Sequence, residues 1–187
     1  MTKLTLCNAD DSCLFLIDIQ DKLSAAMPDK VITRLRTNIQ ILIEAANTLS
    51  IPVIATEQYP QGLGALEKVI NDKLNESARK FEKTGFSCLK AKGLKEHLYS
   101  LNKKQVILTG IEAHICVTQT ASELQDAGYD VFVVNDAISS RKLASYDTAI
   151  NRMSSSGINS ITTESVLFEW LKDSSHPAFR DLSKLII

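Results

Sequence analysis

Short apolar runs alternate with amphipathic stretches along the whole chain. The first run, CLFLIDI (residues 13–19), is apolar up to a carboxylate near its end, as in a buried parallel strand. Runs of the same kind predict three more strands: IPVIAT (51–56), QVILTG (105–110) and VFVVNDA (131–137). Apolar side chains recur at helical spacing over residues 31–49, and further helices are predicted over 89–101, 117–128, 144–155 and 164–171. Weaker signals predict a helical stretch at 66–73, a short strand and turn at 79–87 and a last strand at 158–163.

This order of six strands and intervening helices indicates the fold class. Alternating strands and helices form right-handed βαβ units, so we expect an α/β protein with three layers, α/β/α. Its Rossmann-like sheet should be mostly parallel and six-stranded. A length of 187 residues suits one domain, and seven glycines and four prolines leave little material for a hinge. We therefore predict one domain spanning residues 1–187.

Composition and charge exclude several classes of partner. The chain is 44% hydrophobic with a formal net charge of -1, so it lacks a basic field that would attract nucleic acid or anionic lipid. No apolar run approaches the ~20 residues that span a bilayer, and the start of the chain does not resemble a secretory signal. Four cysteines without CxxC spacing suggest reduced thiols in the cytoplasm.

Polar residues lie where the predicted strands end. In open parallel sheets, ligands bind beyond the carboxyl ends of the strands, so these positions are candidates for a functional site. The residues at such places are Asp18, Glu57, Gln58, Lys83, Cys116 and Asp136. A carboxylate, an ammonium and a thiol at one edge suggest nucleophilic chemistry. Lys83 and a helix N-terminus would stabilise the thiolate of Cys116, and Asp18 would accept its proton.

Each of these residues also has a structural interpretation. Cys116 could be an inert buried thiol, Asp18 a cap or turn former, and Lys83 a solvated charge. His114 lies near the candidate thiol and could be its base in place of Asp18. The residue types alone leave these possibilities open.

A set of motifs in order resembles one known family. They are LFLIDIQDKL, PVIATEQYPQGLG, FEKTGFSC, ILTGIEAHICVTQTASELQDAGYDVFVVNDAISSR and TTESVLFEWL. Together they resemble the isochorismatase-like hydrolases, the cysteine hydrolase superfamily that includes nicotinamidases, over roughly residues 13–172. The chain is most similar to uncharacterised isochorismatase-domain hydrolases.

The resemblance implies a catalytic triad of Asp18, Lys83 and Cys116. It also implies a cis peptide bond between Ile111 and Glu112, with the backbone N–H groups of Glu112 and Cys116 as an oxyanion hole. The implied reaction is hydrolysis of a small amide or related C–N substrate through a thioester.

Further expectations from the resemblance concern substrate, assembly and cofactors. Gln20 and Tyr59 are candidate substrate contacts, and a homo-oligomer is expected. The apolar end LSKLII (182–187) would suit an interface or could fold onto its own domain. Nicotinamidases bind a metal through an Asp and two His residues after the second strand. The corresponding loop here, EQYPQGLG, has no histidine, so we expect no metal and no cofactor, although Glu57 with Asp18 could hold a weak Mg²⁺.

Three competing functions remain compatible with the sequence. The isochorismatase branch of the superfamily cleaves a vinyl ether without needing a cysteine, and the presence of Cys116 argues against it. A redox-responsive protein would oxidise Cys116 reversibly, with Cys88 as a possible second thiol. A binding or scaffold protein would keep the fold without turnover.

Overall fold

Six parallel strands form the centre of the molecule in this computed structural model, which describes residues 4–186. The strands are β1 Ser12–Ile17, β2 Val53–Gln58, β3 Arg79–Lys83, β4 Gln105–Ile111, β5 Asp130–Ser139 and β6 Asn159–Ile161. Their order across the sheet is β3-β2-β1-β4-β5-β6, and every pairing is parallel. The predicted α/β sheet is thus confirmed. The one-domain prediction for residues 1–187 stays a prediction, and residues 1–3 and 187 lie outside the described residues.

Helices connect the strands and cover both faces of the sheet. They are α1 Asp21–Ser24, α2 Asp29–Thr48, α3 Pro60–Leu63, α4 Lys68–Asn71, α5 Leu94–Ser100, α6 Thr118–Asp126, α7 Leu143–Ser155, α8 Thr163–Leu171 and α9 Phe179–Leu182. The apolar side chains of α2 and α8 belong to one core, and those of α5, α6 and α7 belong to the other. The three-layer arrangement follows from this division.

Strand β1 shows why the sheet needs two covering layers. All six of its residues are buried, and successive side chains point to opposite faces. Leu14 and Leu16 pack in the core beneath α2, whereas Phe15 and Ile17 pack in the core beneath α6. Burial of one such side chain contributes about 1.5–3 kcal/mol, so a strand with apolar residues on both faces is stable only between two layers.

Some elements differ from the prediction at their ends. Helix α5 begins at Leu94, because Gly93 has a φ of +80° and interrupts the predicted helix over 89–101. Strand β2 continues to Gln58, two residues beyond the predicted end at residue 56. The predicted helix over 66–73 is reduced to the single turn of α4.

The C-terminal segment packs on its own core. Leu182 at the end of α9 is buried, and Leu185 and Ile186 pack against the core formed with α2 and α8. Of the two roles expected for residues 182–187, this supports folding onto the same chain for 182–186. Residue 187 lies outside the described residues.

Strands β1 and β4 approach closely where the chain turns toward the candidate thiol. Gly110 has a φ of +109°, and a Cβ added there would lie 2.1 Å from the carbonyl oxygen of Ile17. No side chain fits at that distance, so this position requires glycine for steric reasons alone. The close approach places the turns after the two strands side by side.

Candidate active site

The strand order changes direction between β1 and β4, and the candidate residues flank that point. Chain connections leave in opposite directions from these two strands, and open parallel sheets bind ligands at the carboxyl ends of strands at such a point. Asp18 directly follows β1 with a φ of +53°, and Cys116 lies in a π-helical turn, Ala113–Val117, after β4. Lys83 is the last residue of β3. The fold therefore brings the three predicted residues to the same end of the sheet.

The three side chains are in contact and removed from water. The Nζ of Lys83 lies 2.7 Å from Oδ2 of Asp18 and 3.6 Å from Sγ of Cys116. Asp18 is fully buried, Lys83 is 4% exposed and Cys116 is 6% exposed. A buried ion pair at this distance fixes both charged groups beside the thiol.

Neighbouring acceptors hold the Lys83 ammonium in place. Its Nζ donates to Oε1 of Gln58 at 2.6 Å and to the carbonyl of Phe86 at 3.1 Å. The Gln58 amide in turn donates to the carbonyl of Thr84 at 2.7 Å. The role of Gln58 was missed in the sequence, where it is only one of several polar residues after the second strand.

Asp18 is held from its other side by a hydroxyl. Thr56 Oγ1 donates to Oδ1 of Asp18 at 2.8 Å, and it also lies 3.5 Å from Sγ of Cys88. Each carboxylate oxygen therefore has one donor, Thr56 or Lys83. Nothing in the sequence distinguishes Thr56, because threonine is common in strands.

Protonation of the thiol differs from the expectation. Burial, followed by the charge of Asp18, raises the pKa of Cys116 to about 12, although the Lys83 ammonium acts in the opposite direction. Lys83 favours the thiolate as expected, but burial and the charge of Asp18 outweigh its effect, so the pKa is raised and not lowered. The pKa of Lys83 is also raised: burial opposes its charge, but Asp18 and the neighbouring thiols favour it. Burial therefore favours the protonated thiol of Cys116 beside the pair formed by Asp18 and Lys83.

A fixed turn connects β4 to the thiol. The peptide bond between Ile111 and Glu112 is cis, as the resemblance implied. The carbonyl of Glu112 accepts hydrogen bonds from Ile115 at 3.0 Å and Val117 at 3.2 Å. The buried carboxylate of Glu112 binds Arg141, accepting its backbone N–H at 3.0 Å and Nε at 3.2 Å. The turn carrying Cys116 is thus anchored to the segment after β5.

The two candidate substrate contacts lie in different environments. Gln20 is fully buried, and its amide bonds the backbone of Gln58 and Gly64. These hydrogen bonds stabilise the loop after β2. Contact of Gln20 with substrate stays a prediction. Tyr59 is 54% exposed and donates its backbone N–H to the carbonyl of Lys83 at 2.8 Å. Its ring lies against Gly62, and its contact with substrate stays a prediction.

The alternative base and the alternative metal ligand have partners of their own. The His114 ring lies against Ser140, with Nδ1 2.9 Å from its Oγ, whereas it is the charge of Asp18 that acts on the pKa of the thiol. The Glu57 carboxylate accepts the backbone N–H of Leu66 at 2.7 Å. Within residues 4–186, no group of three His, Cys, Asp or Glu side chains is placed to hold a metal ion. The absence of a metal and of a cofactor stays a prediction.

Comparison with known structures supports the fold. A structure described as MAR1 ribonuclease from Caenorhabditis elegans superposes with a TM-score of 0.91 at 37% identity, covering 97% of this chain and 92% of that one. YcaC from Pseudomonas aeruginosa superposes with a TM-score of 0.88 at 21% identity, covering 100% and 99%. At that identity the second likeness shows the fold alone. In the part of the chain that the structure describes, none of the helices combines the length and the apolar character needed to cross a membrane.

Comparison of sequences identifies the family. The family model described as the isochorismatase domain matches residues 12–165. Isochorismatase domain-containing protein 2 of Xenopus laevis is 38% identical over 180 residues, covering 94% of this chain and 83% of that protein. Isochorismatase family protein 1B of Dictyostelium discoideum is 34% identical over 177 residues, covering 92% and 84%. The chain belongs to the isochorismatase domain family.

Proposed function

We propose that this protein is a cysteine-dependent hydrolase that cleaves a small amide or related C–N substrate through a thioester. Its membership of a hydrolase family supports the general class of activity. One observation carries the finer proposal: the Lys83 ammonium lies 2.7 Å from the Asp18 carboxylate and 3.6 Å from the Cys116 thiol. A nucleophile, a base and a positive charge in mutual contact suit attack on a carbonyl carbon.

Asp18 supplies the base in the first half of the reaction. Because burial and Asp18 raise the pKa of Cys116 to about 12, the thiol loses its proton only as sulfur attacks the substrate. Asp18 accepts that proton, and the electron pair of the carbonyl moves onto its oxygen. The backbone N–H groups of Glu112 and Cys116 are proposed to bind this oxyanion. Lys83 stabilises the anionic intermediates without giving up its own proton.

The second half returns every group to its starting state. Asp18 donates its proton to the leaving nitrogen, the C–N bond breaks and a thioester remains on Cys116. Water then loses a proton to Asp18 and attacks the thioester carbon. Release of the carboxylic acid product frees the sulfur, which regains its proton from Asp18.

The name of one similar structure suggests a different substrate. The Caenorhabditis elegans protein is described as a ribonuclease, and it is 37% identical to this chain. Ribonucleases bind polyanions, whereas this chain has a formal net charge of -1 and its site lysine is already paired with Asp18. We therefore propose a small-molecule substrate and no nucleic-acid or membrane partner, and RNA serves as a control substrate.

The redox role and the vinyl ether reaction differ in how they use the thiols. A redox role would use Cys88, which lies 3.5 Å from Thr56 and so next to the Asp18 network. Cleavage of a vinyl ether would use Asp18 and leave Cys116 idle. The contact between Lys83 and the thiol favours the hydrolase over both, and also over a scaffold without turnover.

Assembly into a homo-oligomer is a further part of the proposal. Tyr59 and Phe86 are about half exposed, at 54% and 53%, and their backbone groups bond Lys83 at the rim of the site. A second copy would cover these apolar side chains. A monomer in size-exclusion chromatography with light scattering would contradict this.

All four cysteines are free, and we propose a reducing compartment, the cytoplasm.

Mass spectrometry can test the central proposal even while the substrate is unidentified. Protein dialysed against EDTA is mixed with a library of small primary amides, quenched in acid and measured intact. We expect an acyl adduct on Cys116 and release of ammonia, since neither the nucleophile nor the oxyanion site uses a metal. Substitution of Cys116→Ser should abolish the adduct, whereas Cys13→Ala, at a buried thiol in the core, should retain it.

Different outcomes identify the competing functions. Addition of one or two oxygens to Cys116, or a disulfide with Cys88, would favour the redox role. Shortening of an RNA oligonucleotide in a Cys116-dependent manner would favour the ribonuclease. Ammonia release that vanishes with EDTA and returns with Zn²⁺ would contradict the metal-free mechanism.

A further inference from the structure

We propose that Gln58 is a positioning residue, which keeps the Lys83 ammonium beside Cys116 during the part of the reaction in which Asp18 is protonated. Gln58 is the last residue of β2 and lies opposite Lys83 in the register of β2 and β3. Their side chains therefore leave the sheet on the same face. The inference rests on the proposed function and adds to it a residue that acts through Lys83.

The hydrogen bonds of Lys83 show why a second fixed acceptor matters. An ammonium has three N–H bonds. The three shortest contacts of Nζ are with Oε1 of Gln58 at 2.6 Å, Oδ2 of Asp18 at 2.7 Å and the carbonyl of Phe86 at 3.1 Å. The Cys116 sulfur, at 3.6 Å, competes for the same N–H bonds. Lys83 can therefore turn an N–H toward a negative sulfur only when one of the other acceptors releases it.

Asp18 is the acceptor that releases Lys83 in the proposed reaction. Once the carboxylate has taken the thiol proton it is neutral, and the attraction between the two opposite charges is lost. The ammonium then lacks the partner that held it in the resting site. Because lysine has a flexible stem of four carbons, its position at this stage depends on the acceptors that remain.

Of the remaining acceptors, Gln58 is the one that ties Lys83 to another strand. The carbonyls of Gly85 and Phe86, at 3.4 and 3.1 Å, follow Lys83 directly in the chain. Among the oxygen acceptors of Nζ within residues 4–186, Asp18 and Gln58 alone belong to other strands or their ends. When Asp18 is neutral, the contact with Gln58 is the one that fixes the ammonium relative to the sheet.

The amide of Gln58 is held in one orientation. Its Nε2 donates to the carbonyl of Thr84 at 2.7 Å, which leaves Oε1 to face Lys83. The backbone is fixed as well, because Gln20 Oε1 accepts the N–H of Gln58 at 2.6 Å and Gln20 Nε2 donates to its carbonyl at 3.1 Å. Gln20 itself is fully buried. Gln58 therefore presents an acceptor whose position does not depend on the charge of Asp18.

Alkylation of Cys116 tests this role without any substrate. The charged and titratable groups that act on Cys116 are Asp18, Lys83 and Cys88, and Lys83 is the one that lowers its pKa. Loss of the ammonium from its place should therefore reduce the thiolate fraction and slow the reaction with iodoacetamide. Asp18→Asn imitates the protonated carboxyl, because the amide is neutral and has nearly the same shape. Gln58→Met removes the acceptor and keeps the length of the side chain.

The expected result is that the two substitutions are coupled. With Asp18 present, Gln58→Met should change the rate at Cys116 less than about twofold at a fixed pH, as read by peptide mapping. In the Asp18→Asn protein, the same substitution should slow the reaction about tenfold, which corresponds to a rise of about one unit in the pKa of the thiol. Gln58→Asn is polar but one carbon shorter, so it should behave like Gln58→Met and keeps the test available should Gln58→Met fail to fold.

Two controls locate the effect. Gln61→Met changes an exposed glutamine of α3, whose amide lies 3.4 Å from Glu82, and should leave the rate in Asp18→Asn unchanged. Lys83→Met removes the group through which Gln58 acts, so Gln58→Met should have no further effect once Asp18→Asn and Lys83→Met are combined. An equal effect of Gln58→Met with and without Asp18, or an effect that persists without Lys83, would overturn the proposal.

Turnover separates this inference from the proposed function. With the library of small primary amides, Gln58→Met should lower kcat about tenfold with little change in KM, because Asp18 is protonated only after the substrate is bound. A raised KM with unchanged kcat would make Gln58 a substrate contact and overturn the positioning role. Coupled alkylation rates without hydrolysis of any amide would leave the positioning role in place and contradict the proposed function. Hydrolysis without the coupling would overturn the positioning role and leave the proposed function in place.

Discussion

The two ends of the sheet solve the problem of buried polar groups differently. At the amino end, Ser12 donates to the carbonyl of Asn8 at 2.7 Å and accepts from Nε1 of Trp170 at 3.0 Å, and all of these groups are neutral. At the carboxyl end, Asp18 and Lys83 form an ion pair at 2.7 Å with both side chains fully buried. One end of the same sheet uses neutral hydrogen bonds, and the other uses charges.

This difference indicates that the polar residues at one end of the sheet serve a purpose other than the stability of the fold. A neutral buried hydrogen bond contributes roughly 1 kcal/mol, whereas an ion pair must first overcome the loss of hydration of both charges. Replacing such a pair with apolar residues is often neutral or stabilising. The charges at the carboxyl end are therefore better explained by the reaction proposed for Cys116 than by folding.

The largest effect is expected from Asp18→Asn. The amide has nearly the shape of the carboxylate but cannot accept the thiol proton, so kcat should fall on the order of 10²- to 10⁴-fold once a substrate is known. Circular dichroism should show that the fold is kept. Turnover at the rate of the unmodified protein would remove Asp18 from the mechanism.

The same variant should have the opposite effect on alkylation of the thiol. The charge of Asp18 helps to raise the pKa of Cys116 to about 12, so its loss should lower that pKa and increase the thiolate fraction at a given pH. Iodoacetamide should then modify Cys116 at lower pH in Asp18→Asn than in the unmodified protein. Lys83→Met should shift the reaction to higher pH, because Lys83 acts to lower this pKa. Parallel shifts in both variants would contradict the charge arrangement.

A smaller effect is expected at the amino end, and on stability only. Ser12→Ala leaves the buried indole N–H of Trp170 without its acceptor, so the free energy of unfolding should fall by about 1–3 kcal/mol in urea. Alkylation of Cys116 should be unchanged. Ser24→Ala is the matched control: its hydroxyl is buried but has no hydrogen-bond partner in the described part of the chain, so its loss should cost little. An equal loss in both variants would show that the hydrogen bond itself contributes nothing.

The sheet was largely predictable from the sequence, because its order depends on apolar patterns. Runs such as CLFLIDI identify buried strands, and the strand ends identify where Asp18, Lys83 and Cys116 should meet. Their contact within 3.6 Å requires three segments far apart in the chain, and the pattern of each segment reports only its own strand. The resemblance to a family supplied the connection between them.

Features that depend on contacts between side chains were harder to predict from the sequence. Thr56 and Gln58 hold the two charges, but nothing in the sequence distinguishes them from the remaining polar residues of a strand end. The pKa of Cys116 was expected to be low because a lysine and a helix start lie nearby. Burial and the charge of Asp18 reverse that expectation, and both act only in the folded chain.

The close approach of β4 to β1 changes what the segment from Gly110 to Cys116 indicates about a related chain. A Cβ at position 110 would overlap the Ile17 carbonyl, so every folded member with this backbone needs glycine there, active or not. The presence of this glycine therefore indicates only the fold. The cysteine six positions later is the residue that indicates the proposed reaction. A related chain that keeps the first and has lost the second would be expected to fold in the same way and to lack a thioester mechanism.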